Sequence, residues 1–249
     1  MASKKRSISG APKIEPADLI TYVSLLRGVN VGGGNVIKKD KLQSAFENVG
    51  CINVRTYIQS GNIVFEAPVH VTRGDLLLSV KNSLRRYLAK DIDILVFSKA
   101  EWQIVVSSSP FSRKTIDDSA ASSSRSLKGK VGAVTVKTEY VTFLCTGDHN
   151  LCHCVDAQDP QLCSAKGSAA AAQLAAQVSK LKIADEDDYC IVNNDLVYVP
   201  VVYTYTPRGI TEGKYTAKMF HDKHSGVNTT TRNFDTILKL LDMTSSPPM

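Results

Sequence analysis

The order of the apolar patterns in the first hundred residues constrains the fold more than any other feature of the sequence. Strand-like runs and amphipathic helical patterns follow one another as strand, helix, strand, strand, helix and strand over residues 21–26, 39–49, 54–58, 63–65, 75–88 and 92–97. Residues 59–62 (QSGN) have the chemistry of a hairpin turn, and Gly50 is a typical glycine at a helix C-terminus. This βαββαβ order predicts a ferredoxin-like unit, an antiparallel sheet with two helices on one face.

The same kind of pattern returns after a segment rich in serine and charge. Beyond that segment, strand-like runs at 131–145, 189–192 and 196–202 alternate with helical patterns at 165–181, 211–221 and 232–241. We therefore predict an α+β protein with two ferredoxin-like halves, each an antiparallel sheet covered by helices on one face. The predicted divisions are a disordered basic tail (1–18), a first half (19–111), a serine-rich linker or mobile loop (112–130) and a second half (131–249).

Composition and charge narrow the classes of function. Hydrophobic residues make up 43% and charged residues 22% of the chain, which is typical of a globular protein. No apolar run approaches the roughly 20 residues of a membrane-spanning helix, so no membrane partner is expected. The basic, polar N-terminal residues do not resemble a secretory signal, and the six cysteines are scattered, which predicts free thiols and a cytoplasmic location. A net charge of +6 permits nucleic-acid or phosphate ligands without requiring them.

A glycine-rich turn, RGVNVGGGN at residues 27–35, lies between the first strand and the first helix. Glycines let backbone N–H groups converge on an anion, and a following helix N-terminus adds a partial positive charge. Arg27 and Lys38 flank the turn with full charges. The glycine spacing fits neither a Walker A loop nor a dinucleotide-binding turn. On the glycines alone, a tight strand-to-helix crossover is the simpler interpretation.

Two further segments carry polar residues at the ends of predicted elements. YIQSGNIVF at residues 57–65 is the first hairpin, and TTTRNFDT at residues 229–236 opens the last predicted helix. In that helix Thr230 or Thr231 is expected to cap the N-terminus, with Arg232 and Asn233 in the first turn. An arginine at that end opposes the helix dipole, which favours a specific partner for Arg232, either a ligand anion or a buried carboxylate.

In their order and spacing, LLRGVNVGG, YIQSGNIVF and TTRNFDT resemble the family called domain of unknown function 1697, known mostly from bacteria. The resemblance implies a two-part α+β fold with ferredoxin-like halves, and it implies no particular activity. The positions that match the family's motifs are Arg27, Gly28, Asn30, Gly32, Gly33, Gln59, Ser60, Gly61, Asn62, Arg232 and Asn233. The basic tail, the serine-rich linker and residues 145–166 depart from the family pattern.

Other groupings of reactive side chains give little support for chemistry. In the Cys/His-rich stretch from Cys145 to Cys163, the alternating Cys152-His153-Cys154 makes neighbouring side chains diverge, so no metal site is predicted. Ser60 lies in a hairpin rather than on the strand-turn-helix elbow that activates a serine nucleophile. Stacking of RNA bases on the sheet is not expected, because GNIVFEA offers a single phenylalanine. No cofactor is predicted, and the sequence does not decide whether the protein is an enzyme.

We predict that the glycine-rich turn, the hairpin tip and the start of the last helix converge on one polar, anion-accepting site. The predicted ligand-binding residues are Arg27, Gly28, Asn30, Gly32, Gly33, Gln59, Ser60, Asn62, Arg232 and Asn233. A small anionic ligand, phosphorylated or nucleotide-like, suits backbone donors, amides and arginines at the ends of elements. The alternative is a nucleic-acid- or protein-binding module without catalysis.

Overall fold

The computed structural model describes residues 18–31, 35–88, 90–110, 139–146, 189–193, 197, 199, 201–206, 209 and 227–246. Within these residues the chain forms eight strands and four helices, and the strands make two antiparallel four-stranded sheets. The predicted α+β class is therefore confirmed. The predicted tail up to residue 17, the linker at 112–130 and the helices at 165–181 and 211–221 lie outside the described residues.

The first sheet and its two helices follow the order that the sequence predicts, with bounds that differ by up to four residues. They are β1 (Leu19–Leu26), α1 (Lys39–Glu47), β2 (Ile52–Tyr57), β3 (Asn62–Pro68), α2 (Arg73–Leu84) and β4 (Ile94–Ser98). The strand order across the sheet is β2-β3-β1-β4. Gly50, at φ +89°, follows α1 and donates its N–H to Glu47 O at 3.0 Å, as expected of a glycine that ends a helix.

Helix α2 ends four residues before its apolar pattern does. Thr72 caps its N-terminus by accepting a hydrogen bond from the Asp75 N–H. After Leu84 the chain continues in turns, and Leu88 N still donates to Leu84 O at 3.1 Å. Leu88 is therefore buried at helical spacing although it lies outside the helix.

Both faces of the first sheet are buried, because the strand side chains alternate between two apolar clusters. One face packs against α1 and α2 through Tyr22, Leu26, Phe46, Phe65, Val80 and Leu84. The other face belongs to a second cluster, which also contains residues of the C-terminal part of the chain. Its members from the first sheet include Val23, Leu25 and Phe97, and its members from the C-terminal part include Phe143, Tyr203 and Ile237. The two sheets therefore share one apolar core.

The second sheet is made by the C-terminal part of the chain. Its elements are β5 (Glu139–Thr146), β6 (Tyr189–Asn193), β7 (Val201–Tyr205) and β8 (Val227–Asn233), in the order β6-β7-β5-β8. The pairing repeats that of the first sheet, with β5 in the central position of β1. Strand β7 begins at residue 201 rather than at the predicted residue 196, since its pairing with β6 starts at Asn193↔Val201.

Helix α3 (Lys99–Ser107) and helix α4 (Phe234–Ser245) join the two sheets. Trp102 on α3 donates its indole N–H to Ile237 O on α4 at 3.2 Å. Tyr203 on β7 donates its hydroxyl to Val105 O at 2.7 Å. Arg55 on β2 reaches Met243 O at 2.7 Å, which places a cation at the C-terminus of α4, where the helix dipole favours it.

The last helix begins two residues later than predicted. Arg232 and Asn233 are the end of strand β8, where they pair with Val141 and Tyr140 of β5. The helix cap is Asn233, which accepts a hydrogen bond from Thr236 N at 2.9 Å. The expectation that Thr230 or Thr231 caps this helix is wrong. These β-branched residues belong to the strand, which their side chains favour.

Candidate functional site

The three segments that the sequence singles out meet at one end of the first sheet, where β1 runs into the glycine-rich turn. Leu26 N donates to Gly61 O at the hairpin tip at 2.8 Å. Arg27 Nε donates to Thr229 O of β8 at 3.1 Å, and Arg232 Nη2 donates to Leu26 O of β1 at 3.0 Å. Each sheet thus sends an arginine to a backbone carbonyl of the other. The three segments therefore contact one another, and that they form an anion-accepting site stays a prediction.

The guanidinium of Arg232 is the centre of this convergence. Its hydrogen bonds to described residues include five, to three backbone carbonyls, one side-chain amide oxygen and one hydroxyl, which belong to Leu26, Ser60, Thr231, Asn62 and Thr230. Five is the full donor capacity of an arginine side chain. Arg232 therefore holds two strands and a hairpin tip together, and no N–H is left over for a ligand.

The hairpin tip is fixed from inside by Asn62, whose side chain is fully buried. Its Oδ1 accepts from Arg232 Nε, and its Nδ2 donates to Tyr57 O at 3.1 Å and to Ser60 Oγ at 3.1 Å. Gly61, at φ +73°, lies so close to β1 that an added Cβ would be 2.7 Å from Leu26 Cβ. Only glycine fits at this position.

Ile58 is the exception to good local geometry at the tip. It has φ +47° and a side chain that is 56% exposed. A left-handed backbone costs an L-residue roughly 1–2 kcal/mol, and a β-branched residue rarely adopts it. The carbonyls of Tyr57 and Gln59 on either side are both held by asparagine side chains, which explains how the conformation persists.

Asn30 closes the glycine-rich turn. Its Nδ2 donates to Gln59 O at 2.7 Å and to Ile37 O at 3.0 Å, while its Oδ1 accepts from Ile37 N at 2.8 Å. The side chain thereby joins both ends of the turn to the hairpin tip. Gly32 and Gly33 lie outside the described residues.

Three of the predicted residues present groups to solvent: Arg27, Gly28 and Gln59. Arg27 uses Nε and Nη1, the latter 3.3 Å from Asp93 Oδ2, and its Nη2 donates to no group in the part of the chain that the structure describes. Gly28 is exposed at φ +69°, and its N–H has no acceptor among the described residues. The Gln59 side chain is exposed and makes no hydrogen bond within the same residues.

The charge of Arg27 is partly balanced by Asp93. The carboxylate of Asp93 also accepts from Asn228 Nδ2 at 3.0 Å, so it is shared between an arginine and an amide. The side chains of Arg27 and Asp93 are 37% and 25% exposed. At that exposure the ion pair is worth about 0–1 kcal/mol and leaves Arg27 able to interact with a further anion.

Asp93 and Asn228 are absent from the sequence-based prediction. Asp93 could have been found from the strand order, because a β4 that pairs antiparallel with β1 places its first residues beside the last residues of β1. Arg27 N indeed donates to Asp93 O at 3.0 Å. Asn228 belongs to β8, a strand that the sequence pattern does not predict, so no signal pointed to it.

The described residues with the largest pKa shifts lie in the apolar interior, away from the turn. Burial raises the pKa of the Cys51 thiol to about 12 and raises the pKa of the Tyr203 hydroxyl. Burial therefore favours the protonated form of both groups near neutral pH. Within the described residues no three His, Cys, Asp or Glu side chains are grouped to hold a metal ion, and the cysteine-rich stretch falls almost entirely outside them.

Comparisons with known proteins show what the chain is similar to. Residues 19–138 match the family described as protein of unknown function (DUF1697). The chain also resembles the solved structure of a conserved bacterial protein, SP0830, from Streptococcus pneumoniae. That likeness has a TM-score of 0.56 at 17% sequence identity and covers 91% of this chain and 99% of the other, so it concerns the fold. No curated protein matches the chain. Among the described helices, none has the length and apolar character needed to cross a membrane.

Proposed function

We propose that this chain, whose residues 19–138 belong to the DUF1697 family, binds a small anionic ligand, phosphorylated or nucleotide-like. The ligand would lie at the turn site, which we define as Arg27, Gly28 and Gln59. Two observations on adjacent residues, at the point where the three motif segments meet, carry the proposal. Among the described residues Arg27 Nη2 has no acceptor, and Gly28 is exposed with no acceptor for its N–H.

The fold supports this proposal by holding the turn site rigid. We propose that the halves divided at residues 112–130 are each ferredoxin-like, in view of the βαββαβ order of the first and the shared strand pairing of the two sheets. In such a unit the turn after β1 and the tip of the β2-β3 hairpin lie at the same end. A site assembled from neighbouring loops on paired strands needs little reorganisation when its ligand binds.

The two groups of predicted residues take different roles in this proposal. Arg27 and Gly28 supply N–H donors to an oxygen of the anion, and Gln59 supplies an amide for the rest of the ligand. A hydrogen bond to a charged group contributes about 1.5–3 kcal/mol. Arg232, Asn62 and Asn30, whose side chains already bind protein groups, are positioning residues.

Ser60 and Asn233, the remaining predicted residues that the structure describes, also have structural partners. Ser60 O accepts from Arg232 Nη2 at 3.0 Å, and Asn233 caps α4. We therefore expect substitution of these two residues to change ligand affinity only through the geometry of the hairpin tip and of β8.

A second candidate function is a nucleic-acid- or protein-binding module without catalysis. The observation that favours it is the exposure of the aliphatic residues Val31, Val36 and Ile58 around the turn site. A site for a small ligand normally encloses its apolar groups, whereas exposed apolar side chains near charges are typical of surfaces that meet a larger partner.

The test is a thermal-shift titration with inorganic phosphate, a sugar phosphate and a nucleoside monophosphate. A ligand at ten times its Kd stabilises the folded state by about 1.4 kcal/mol, which raises Tm measurably. We expect a saturable rise that Arg27→Gln abolishes. The matched control is Arg85→Gln, because Arg85 is an exposed arginine outside the turn site whose charge is already paired with Asp91.

Each protein is compared with itself with and without ligand, so a change in basal stability does not affect the result. An equal rise in the Arg27→Gln and Arg85→Gln proteins would contradict the proposed site. The absence of a rise with every anion would contradict the proposed function.

A further inference from the structure

The end of the first sheet that carries the turn site also carries five exposed cations. They are Lys38, Lys39, Lys41, Arg86 and Lys90. None of them makes an ion pair with a described residue, whereas the neighbouring Arg85 forms a two-point ion pair with Asp91. We call these five residues the basic end. The exposed acids among them are Asp40 and Asp91, and Asp91 is paired with Arg85, so positive charge is in excess.

The topology places these cations on both sides of the turn site. Lys38, Lys39 and Lys41 lie at the N-terminus of α1, directly after the glycine-rich turn. Arg86 and Lys90 follow α2 on the way into β4, and Asp93 in the same connection accepts a hydrogen bond from Arg27 N. A negatively charged chain that crosses the turn site would therefore meet cations before and after it.

Three exposed aliphatic side chains lie among these charges. Val31, Val36 and Ile58 are 63%, 68% and 56% exposed. Val31 follows Asn30, and Val36 and Ile58 precede Ile37 and Gln59. Because Asn30 Nδ2 donates to the carbonyls of Ile37 and Gln59, the three aliphatic residues are close in space. Ile58 keeps its exposed position in a left-handed backbone that asparagine or glycine would adopt more readily. The fold thus maintains an exposed apolar group at a local cost.

We infer that the turn site and the basic end together bind single-stranded nucleic acid. Phosphates would contact Arg27 and the basic end, base faces would pack on Val31, Val36 and Ile58, and the Gln59 amide would hydrogen-bond base edges. A path of positive charge beside apolar platforms is how proteins hold single strands with little sequence preference. The inference rests on the proposed function in using Arg27 as a phosphate contact, and it extends the ligand from a small anion to a polymer.

A single strand fits these observations better than a duplex does. The faces of duplex bases are stacked on each other and unavailable, so aliphatic side chains would gain little from them. Because aliphatic groups stack less well than aromatic ones, the affinity should be modest and strongly dependent on salt.

The experiment measures the anisotropy of a labelled 12-nucleotide single-stranded RNA at several salt concentrations. With about six phosphates neutralised, by Arg27 and the five residues of the basic end, the slope of log K against log salt should be about −4. The triple variant Lys38→Ala, Lys39→Ala, Lys41→Ala should reduce the magnitude of the slope by about 2. Lys239→Ala, an exposed lysine on α4, is the matched control and should leave the slope unchanged.

Ile58→Asn tests the apolar contact separately from the charges. Asparagine tolerates the left-handed backbone, so the hairpin should keep its conformation, while RNA affinity should fall by about fivefold to tenfold without a change in slope. The phosphate-induced thermal shift should be unaffected in this variant. Far-UV circular dichroism and tryptophan emission verify that each variant is folded.

The outcomes separate this inference from the proposed function. If small phosphates bind and the RNA does not, the inference is wrong and the proposed function stands. If the RNA binds and small phosphates do not, the inference stands and the small-ligand function is wrong. Equal affinity for duplex and single strand, with no effect of Ile58→Asn, overturns the inference in favour of simple polyanion binding. Binding to vesicles with phosphatidylserine but not to RNA overturns it in favour of a lipid surface.

Discussion

Replacing Arg232 with alanine removes the side chain that joins β1, the hairpin tip and β8. Two of its acceptors, Asn62 Oδ1 and Leu26 O, belong to residues that are 0% and 1% exposed. A buried acceptor left without a partner costs about 1–3 kcal/mol. Two such acceptors, together with the lost bonds to Ser60 and Thr231, lead us to expect a loss of about 3–5 kcal/mol from the free energy of unfolding.

Urea denaturation followed by tryptophan emission measures this loss. Arg232→Lys is the informative companion, because an ammonium group keeps the charge but lacks the planar fork that reaches both sheets. We expect it to recover less than half of the lost stability. Lys239→Ala, which removes an exposed side chain bonded to Asp242, should leave the urea midpoint unchanged.

A loss below about 1 kcal/mol for Arg232→Ala would refute this reasoning, since it would mean that water satisfies the freed carbonyls. Full recovery by lysine would refute the role of the fork geometry and leave only the charge. In the first case the hairpin tip would not depend on Arg232, and the assignment of Arg232 as a positioning residue would be wrong.

Three further predictions concern the interior of the protein. Gly61→Ala should destabilise the protein by about 2–4 kcal/mol, since the new Cβ would be 2.7 Å from Leu26 Cβ. Gly28→Ala has a similar positive φ but nothing within 4 Å of the new Cβ, so it should cost only the backbone strain of about 1–2 kcal/mol. Equal losses of stability for the two variants in urea denaturation would contradict the contact with Leu26. Trp102 is the only tryptophan and is fully buried, so native emission should be blue-shifted. Trp102→Phe loses the indole hydrogen bond to Ile237 O, a carbonyl that also serves α4, and should lower the free energy of unfolding by about 0.5–1.5 kcal/mol in urea denaturation followed by circular dichroism. Because the pKa of Cys51 rises from 9.0 to about 12 on folding, the thiol of the unfolded chain ionises first, and stability should fall as pH rises through 9 towards 12. Urea denaturation at pH 8 and 9.5 should show this fall in the native protein and a smaller fall in Cys51→Val.

The elements of the first half could be predicted because their signals are local. The apolar spacing of Leu42, Ala45 and Phe46 requires a helix to bury all three, and the QSGN turn requires a hairpin. The bounds could not be predicted as well. The end of α2 at Leu84 depends on turns after it that still bury Leu88 at helical spacing, and the apolar pattern does not distinguish the two.

Strand β8 could not be predicted because its partner lies far away in the sequence. The threonines before Arg232 fit a helix cap and a strand equally well, and only pairing with β5 decides between them. Arg232 therefore lies in a strand rather than at a helix N-terminus, and the helix dipole gives no reason to expect an anionic partner for it. The prediction that Arg232 is special remained useful, although its partners are mainly carbonyls.

The convergence of the three segments could be predicted, but the division of roles among their residues could not. Asn30 and Asn62 are indistinguishable in sequence from exposed loop asparagines, and only the packing of the hairpin against β1 shows that both are used internally. The same packing leaves Arg27, Gly28 and Gln59 facing solvent. That these residues bind a ligand stays a prediction.

The arginine contacts between the two sheets also set a minimum time between synthesis of the first sheet and completion of the hairpin tip. Arg232 is 206 residues after Leu26, whose carbonyl it binds. At about 5–20 residues per second, a ribosome adds that stretch in roughly 10–40 s. During this interval the hairpin tip of the nascent first half lacks the hydrogen bonds from Arg232. The apolar sheet face formed by Val23, Leu25 and Phe97 is not yet covered by β5, β7 and α4. The protein should therefore depend on chaperones most strongly in the seconds before its last helix leaves the ribosome.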